Sequence, residues 1–209
     1  MTITKRQARL AAKQMLFRGG RRPRKVKAGV TAGVSMLLDR RYDVQRELGM
    51  YEIETRSAIR RLLKPGSVAL DIGCGDGYES LGWAKLGSTV YAYDPDPTVI
   101  ERFRSNLALN PDVASRITVY QKPFPGDVPV PAADFAKVDV DGGEFDVIAL
   151  LTDVPKLLVE VHSIELESAC SDFLRRHGYT VAIIPNARWR ILYPEWRPIV
   201  HNRWLTAMR

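Results

Sequence analysis

The chain has 209 residues, 45% of them hydrophobic, and a formal net charge of +7. That length and apolar content support one substantial buried core and leave no room for a second full domain. The first 30 residues hold ten Lys or Arg and no acid, so the remaining 179 carry a net −3, and the basic character belongs to a tail rather than to the body.

In chain order, the tail carries Lys5, Arg6, Arg9, Lys13, Arg18, Arg21, Arg22, Arg24, Lys25 and Lys27. Such an arm suits nucleic-acid phosphates, an anionic membrane surface, or water alone. Ile3, Leu10, Met15 and Phe17 give its first half a ragged apolar face, too irregular for a membrane anchor, and Gly19, Gly20 and Pro23 stop a helix there. Residues 1–40 are therefore expected to be a basic extension, partly helical or disordered, ahead of a domain over 41–209. The apolar stretch 28–38 is too short to span a bilayer, and no signal-peptide pattern precedes it. Cys74 and Cys170 are the only cysteines, which suggests neither a disulfide framework nor a structural zinc site and makes a reducing cytoplasm the expected location.

After residue 50 the order is regular. Helices are predicted over 54–63, 79–86, 98–110 and 166–177, and strands over 68–72, 89–94, 116–120, 135–140, 157–161 and 180–184, with 203–208 closing the sheet as an edge strand. Strands alternating with helices imply right-handed crossovers and a doubly wound, mostly parallel α/β sheet. The segment 121–134 holds Pro123, Pro125, Pro129 and Pro131 and reads as a loop.

The first strand runs into Asp71-Ile72-Gly73-Cys74-Gly75-Asp76-Gly77. Glycines 73, 75 and 77 permit a tight turn whose backbone approaches a ligand where a Cβ would collide. Asp71 is placed to accept from the amino group of a nucleoside cofactor, and Asp94, at the end of the next strand, from ribose hydroxyls. Tyr78 stands where a dinucleotide fingerprint has its third glycine, and Asp76 would repel a pyrophosphate. S-adenosyl-L-methionine, which has no phosphate, fits better than nicotinamide or flavin cofactors, or than a turn that binds nothing.

Together with Tyr91-Ala92-Tyr93-Asp94-Pro95-Asp96-Pro97, Asn106-Leu107-Ala108-Leu109-Asn110, Lys137-Val138-Asp139-Val140-Asp141-Gly142-Gly143-Glu144 and Leu158-Val159-Glu160-Val161-His162, the loop resembles seven-stranded methyltransferases. More narrowly it is similar to the FkbM family, largely O-methyltransferases of small molecules and sugars. The resemblance runs from about Tyr51 to the C-terminus. It implies a Rossmann-like, seven-stranded sheet and cofactor roles for Asp71, Gly73, Gly75, Gly77, Asp94 and Asp139, with Cys74 and Pro95 in the same loops. Tyr78 and Glu79 lie close enough to share that wall, and Glu52 corresponds to an acidic position that approaches the cofactor from above or is a solvated helix-start carboxylate. The chain departs from the family in having Cys74-Gly75 for Ala-Asn, Asp94 for a common Glu, and Asp141-Gly142 for Glu-Gly, which weakens substrate inference more than cofactor inference.

Asp139 and Asp141 flank Val140, and Glu160 and His162 flank Val161, so each pair shares a direction on its strand. If those strands are neighbours, four polar groups converge. Methyl transfer from a sulfonium chiefly requires alignment and proton removal, for which His162 is the candidate general base, oriented by Glu160 or Asp139. The plainer readings are a His162 bond across the strand end, a turn cap at Glu160, and a turn with helix start at Asp141 to Glu144. A divalent metal on Asp139, Asp141, Glu160 or His162 is chemically feasible but not preferred. The aromatic and basic segment 186–198 reads as a substrate lid, a nucleic-acid surface or packing.

The expected function is S-adenosylmethionine-dependent O-methylation of a small metabolite, glycan or lipid-linked sugar. The alternatives are an RNA methyltransferase acting on ribose or base through the basic arm, and a catalytically silent cofactor-binding module, membrane-associated through that arm.

Overall fold

The structure is a computed structural model that describes residues 19–185 and 201–209. Its first elements are strands β1 (Arg22–Lys25) and β2 (Ser35–Leu38), paired antiparallel with Pro23 opposite Leu37. Pro23 fits this edge strand, where its missing N–H costs nothing. Val26, Val34, Met36 and Leu38 are buried in the same apolar cluster as the main sheet. The second half of the expected extension is thus a hairpin built into the domain's core rather than a helix or a disordered arm, because its apolar residues alternate in and out.

Two short helices follow, α1 (Val44–Leu48) and α2 (Arg56–Leu62). Strand β3 (Val68–Ile72), helix α3 (Tyr78–Lys85), strand β4 (Thr89–Tyr93), helices α4 (Pro97–Ala108) and α5 (Pro111–Ala114), and strand β5 (Ile117–Tyr120) form the first half of the sheet. Strand β6 (Phe135–Val138), helix α6 (Glu144–Ala149), strand β7 (Lys156–Val161), helix α7 (Ile164–Arg176), and strands β8 (Thr180–Ile184) and β9 (Arg203–Met208) form the second. Helix α4 starts with Pro97 at its first position and the Asp96 carboxylate accepting from Thr98 N at 2.7 Å, and α7 starts with Ser163 Oγ accepting from Leu166 N at 3.1 Å.

The sheet has seven strands in the order β5-β4-β3-β6-β7-β9-β8, parallel from β5 to β7, with β9 antiparallel to both neighbours. The last strand is therefore not at the edge, as its position in the sequence suggested. Trp204, Leu205 and Ala207 of β9 are fully buried whereas Ile183 of β8 is 42% exposed, so the strand that hides more apolar surface takes the inner slot. The strand order reverses between β3 and β6, which places the carboxyl ends of these two strands at the point where open α/β sheets hold their ligands. No helix among the described residues is long and apolar enough to cross a membrane.

Two asparagines four residues apart on α4 hold the hairpin. Asn106 Oδ1 accepts from Leu37 N at 2.8 Å and Asn110 Oδ1 from Ser35 N at 2.9 Å, while Asn110 Nδ2 donates to Ser35 O at 2.7 Å. Asn106 Nδ2 also donates to Asp76 O at 2.9 Å, joining the hairpin's edge to the glycine loop. The helix spacing places both amides on one face, where they occupy backbone groups that β2 would otherwise leave unpaired. Asn110→Ala should lower stability by about 2 kcal/mol, the cost of leaving buried backbone groups of β2 without partners. Urea unfolding checks this, with a lower midpoint and an unchanged slope as the expected result.

Candidate active site

The polar groups of the site share one face of the sheet. Ala69, Phe135 and Leu158 of β3, β6 and β7 lie in one apolar cluster, and residues two positions further along each strand point the same way. Those residues are Asp71, Lys137 and Glu160, with Asp139 and His162 continuing the same alternation past the strand ends. Asp71 pairs in register with Lys137, and Lys137 with Leu158. The face is apolar at the amino ends of the strands and charged at their carboxyl ends.

The turn after β3 begins at Gly73, which has a φ of +81° and whose Cβ, if present, would lie 1.7 Å from Asp139 O. Gly77, also at φ +81°, would place a Cβ 2.2 Å from the Phe103 ring of α4. At Gly75 nothing lies within 4 Å of such a Cβ. Two of the three glycines expected to make room for a ligand are therefore demanded by contacts within the protein, and the open space is at Gly75. Asp94 organises this loop, with Oδ2 accepting from Gly75 N at 3.0 Å and Oδ1 from Asp96 N at 2.9 Å. Pro95 beside it is exposed. Cys74 is buried, and burial pushes its thiol well up, aided by the Asp71 and Asp94 charges, so it offers the loop backbone rather than a nucleophile.

Asp76 does not face a ligand. It is 5% exposed and bound bidentately by Arg46, with both N–O distances 2.7 Å, while Arg46 also lies over the rings of Tyr51 and Tyr78. Burial raises the Asp76 carboxyl, but the Arg46 charge and hydrogen bonds outweigh it and hold the group below its usual range. The anticipated phosphate repulsion is thus replaced by an internal ion pair, which sequence could not pair because Arg46 lies 30 residues upstream.

Asp71 is buried, with Oδ2 accepting from Ser80 Oγ at 2.5 Å and Oδ1 making no hydrogen bond among the described residues. Burial raises its carboxyl, opposed by Lys137 and Ser80. Glu52, Tyr78 and Glu79 are brought together around a small crevice that Thr31 and Tyr51 also line, and Glu52 adopts a φ of +45°. Glu79 is pushed well up by burial and by the neighbouring Glu52 charge. The Tyr78 ring packs edge-on to Tyr51 and its hydroxyl donates to Arg46 O at 3.3 Å.

Lys137 was not identified from sequence. It is 4% exposed, with Nζ 3.1 Å from Asp139 Oδ2 and 3.5 Å from Glu79 Oε2, and 5.4 Å from the Trp204 ring. Burial alone would discharge it, but Asp139, Glu79, Glu52 and Asp71 outweigh that and hold its pKa well above normal. The available signal was a lysine inside the otherwise apolar run Phe135-Ala136-Lys137-Val138, in a strand with neighbours on both sides.

Asp139, Asp141, Glu160 and His162 do converge. His162 Nε2 lies 3.8 Å from Asp139 Oδ1, 3.4 Å from Asp141 Oδ1 and 3.8 Å from Glu160 Oε2. The group that holds the imidazole is neither Glu160 nor Asp139 but Glu144, whose Oε1 accepts from His162 Nδ1 at 2.5 Å and from Gly142 N at 2.8 Å. Glu144 is fully buried, and the Asp141-Gly142-Gly143 turn, with Asp141 at φ +48°, delivers it as the first residue of α6. Burial lowers the His162 pKa, but the Glu144 bond and the Asp139 and Asp141 charges raise it above normal overall. The segment 186–198 and the first 18 residues of the tail lie outside the described residues.

Residues 70–164 match a family described as a methyltransferase domain. A ribosomal protein L11 methyltransferase from Bacillus cereus (strain Q1) is 44% identical over 54 residues, which is 25% of this chain. The match covers only 17% of the length of that relative. A precorrin-6Y C5,15-methyltransferase from Geobacter metallireducens superposes with a TM-score of 0.56 at 19% identity, covering 76% of this chain and 88% of that one. An S-adenosylmethionine-dependent O-methyltransferase from Thermotoga maritima superposes with a TM-score of 0.58 at 15% identity, covering 75% and 64%. These likenesses establish the fold as the Rossmann-like methyltransferase type.

Two measurements test the geometry. Gly73→Ala should cost about 2–4 kcal/mol, because the new methyl group meets the Asp139 carbonyl in a left-handed backbone conformation, and its urea midpoint should fall accordingly. The Asp76 carboxyl is depressed in the folded state, so its pair with Arg46 contributes stability above the unfolded carboxyl pKa of about 3.9 and loses it as pH falls through the folded value. Asp76→Asn should therefore be about 3 kcal/mol less stable at pH 7, and its deficit should shrink steadily in unfolding curves taken at lower pH.

Proposed function

We propose, starting from a methyltransferase domain over residues 70–164 that takes S-adenosyl-L-methionine as its cofactor, that this chain transfers the cofactor's methyl group to a hydroxyl oxygen of a small metabolite, glycan or lipid-linked sugar. The observation that carries this reading is the meeting of Asp139, Glu160 and His162 directly against the glycine loop, since the Asp139 carbonyl is the atom that Gly73 must accommodate. The donor methyl is already activated as a sulfonium, whereas an alcohol is a poor nucleophile until it loses its proton. A proton-handling cluster beside the cofactor loop is what an oxygen acceptor requires.

In this reading Asp71, Gly75, Asp94 and the backbone at Cys74 receive the nucleoside, with Glu52, Tyr78, Glu79 and Pro95 around it. Proton removal depends on His162: as a free imidazole its Nε2 is the base, Glu144 holds its orientation through Nδ1, and Asp139 and Glu160 shape the charge around it. The finer likeness to FkbM enzymes, carried by the 137–144 and 158–162 segments, favours a small or sugar acceptor. The two buried thiols, Cys74 and Cys170, suit a reducing compartment and favour a cytoplasmic setting.

Incubation with labelled S-adenosylmethionine and a deproteinised extract, separated into nucleic-acid and small-molecule or glycan fractions, tests the acceptor class. Label is expected in the second fraction, and to vanish with Asp94→Ala; nuclease-sensitive label in the first fraction would replace this reading with nucleic-acid methylation. His162→Ala should lower kcat about 100-fold or more while leaving the cofactor Kd within about twofold, as measured by single-turnover assays and calorimetry.

A further inference from the structure

We infer that Asp139, Glu160 and His162 form a site for a divalent cation of the Mg2+ or Mn2+ type, which acidifies the acceptor hydroxyl. This rests on the O-methyltransferase reading and changes how the proton is lost: His162 serves as a ligand instead of a free base. One donor atom from each of the three residues lies within 4.8 Å of the others. An ion with bonds of about 2.1 Å holds its donors about 3.0–3.4 Å apart, so the separations of 3.8 Å from Nε2 to Asp139 Oδ1 and Glu160 Oε2 close on an ion with small side-chain shifts.

The second observation is the imidazole itself. His162 is 8% exposed, yet its Nε2 makes no hydrogen bond. Its Nδ1–H is committed to Glu144, and that leaves the Nε2 lone pair aimed at carboxylate oxygens. A lone pair facing carboxylates is repulsive unless a cation lies between them. A proton would draw the partners to about 2.7–2.9 Å, and the separations of 3.4–3.8 Å exceed that. A buried carboxylate that holds one imidazole nitrogen while the other faces outward is also the support by which metal-binding histidines are oriented.

Four carboxylates, Asp139, Asp141, Glu144 and Glu160, lie within 4 Å of the imidazole. One imidazole with two carboxylates is a hard donor set that suits Mn2+ or Mg2+ better than thiophilic metals. With the ion in place, the acceptor O–H binds it and loses its proton through the exposed Asp141 carboxylate to water. The oxygen then forms its bond to the methyl carbon as the C–S bond breaks, and that electron pair returns sulfur to a neutral thioether.

Titration of the full chain with Mn2+, followed by electron paramagnetic resonance without cofactor or acceptor, is the test. The wild type is expected to bind one equivalent saturably. Asp139→Asn, with its fold checked by circular dichroism, should weaken binding at least 10-fold, and Glu144→Gln, which touches no ion, about 10–100-fold. Absence of saturable binding, or affinity unchanged in Asp139→Asn and His162→Gln, overturns the site. Hydroxyl methylation that proceeds at full rate in excess EDTA also overturns it and leaves the O-methyltransferase reading standing. Stoichiometric binding lost in the variants, with label found only on nitrogen or carbon acceptors, keeps the ion site and removes the hydroxyl acceptor.

Discussion

The approach of Gly73 to the Asp139 carbonyl is the contact on which the site depends. It brings the turn after β3 against the end of β6 at the reversal of strand order, with no room for a side chain between them. The glycine loop is thereby set beside the acid and histidine cluster. Asp94 holds the other side of the loop through Gly75, and Phe103 closes over Gly77, so the loop is clamped by three different elements and its conformation does not wait for a ligand.

The second constraint is electrostatic. The charged end of the sheet face buries Asp71, Glu52, Glu79 and Glu160, and burial raises the free energy of each ionised carboxylate unless a countercharge is near. Lys137 is that countercharge for Glu79 and Asp139, and the cation–π approach to Trp204 of the inserted strand β9 seats it. Arg46 and Asp76 form a separate pair that neutralises itself and leaves the ligand side of the loop unaffected.

The hairpin adds a third layer to this arrangement. Asn106 and Asn110 belong to a segment that carries part of the family resemblance, and their amides serve the backbone of β2 and the carbonyl of Asp76. That segment is, in this chain, a bracket between an N-terminal hairpin and the glycine loop. The residues that tie β2 down are thus the same ones that steady the loop.

By itself the sequence determined the main alternation of strands and helices after residue 50, the glycine turn with Asp71 and Asp94, and the shared direction of Asp139 with Asp141 and of Glu160 with His162, because periods of 2 and 3.6 residues and local turn chemistry are properties of short segments. It did not determine which strand lies beside which. The place of β9 inside the sheet, the hairpin's entry into the core, the convergence of the two polar pairs, the Arg46–Asp76 pair, the Glu144 hold on His162 and the contact of Lys137 with Glu79 all join residues distant in the chain or are set by competition for burial. Those were decided only when the sheet closed, since charge pairing and burial are functions of distance in space, and a single sequence records distance only along the chain.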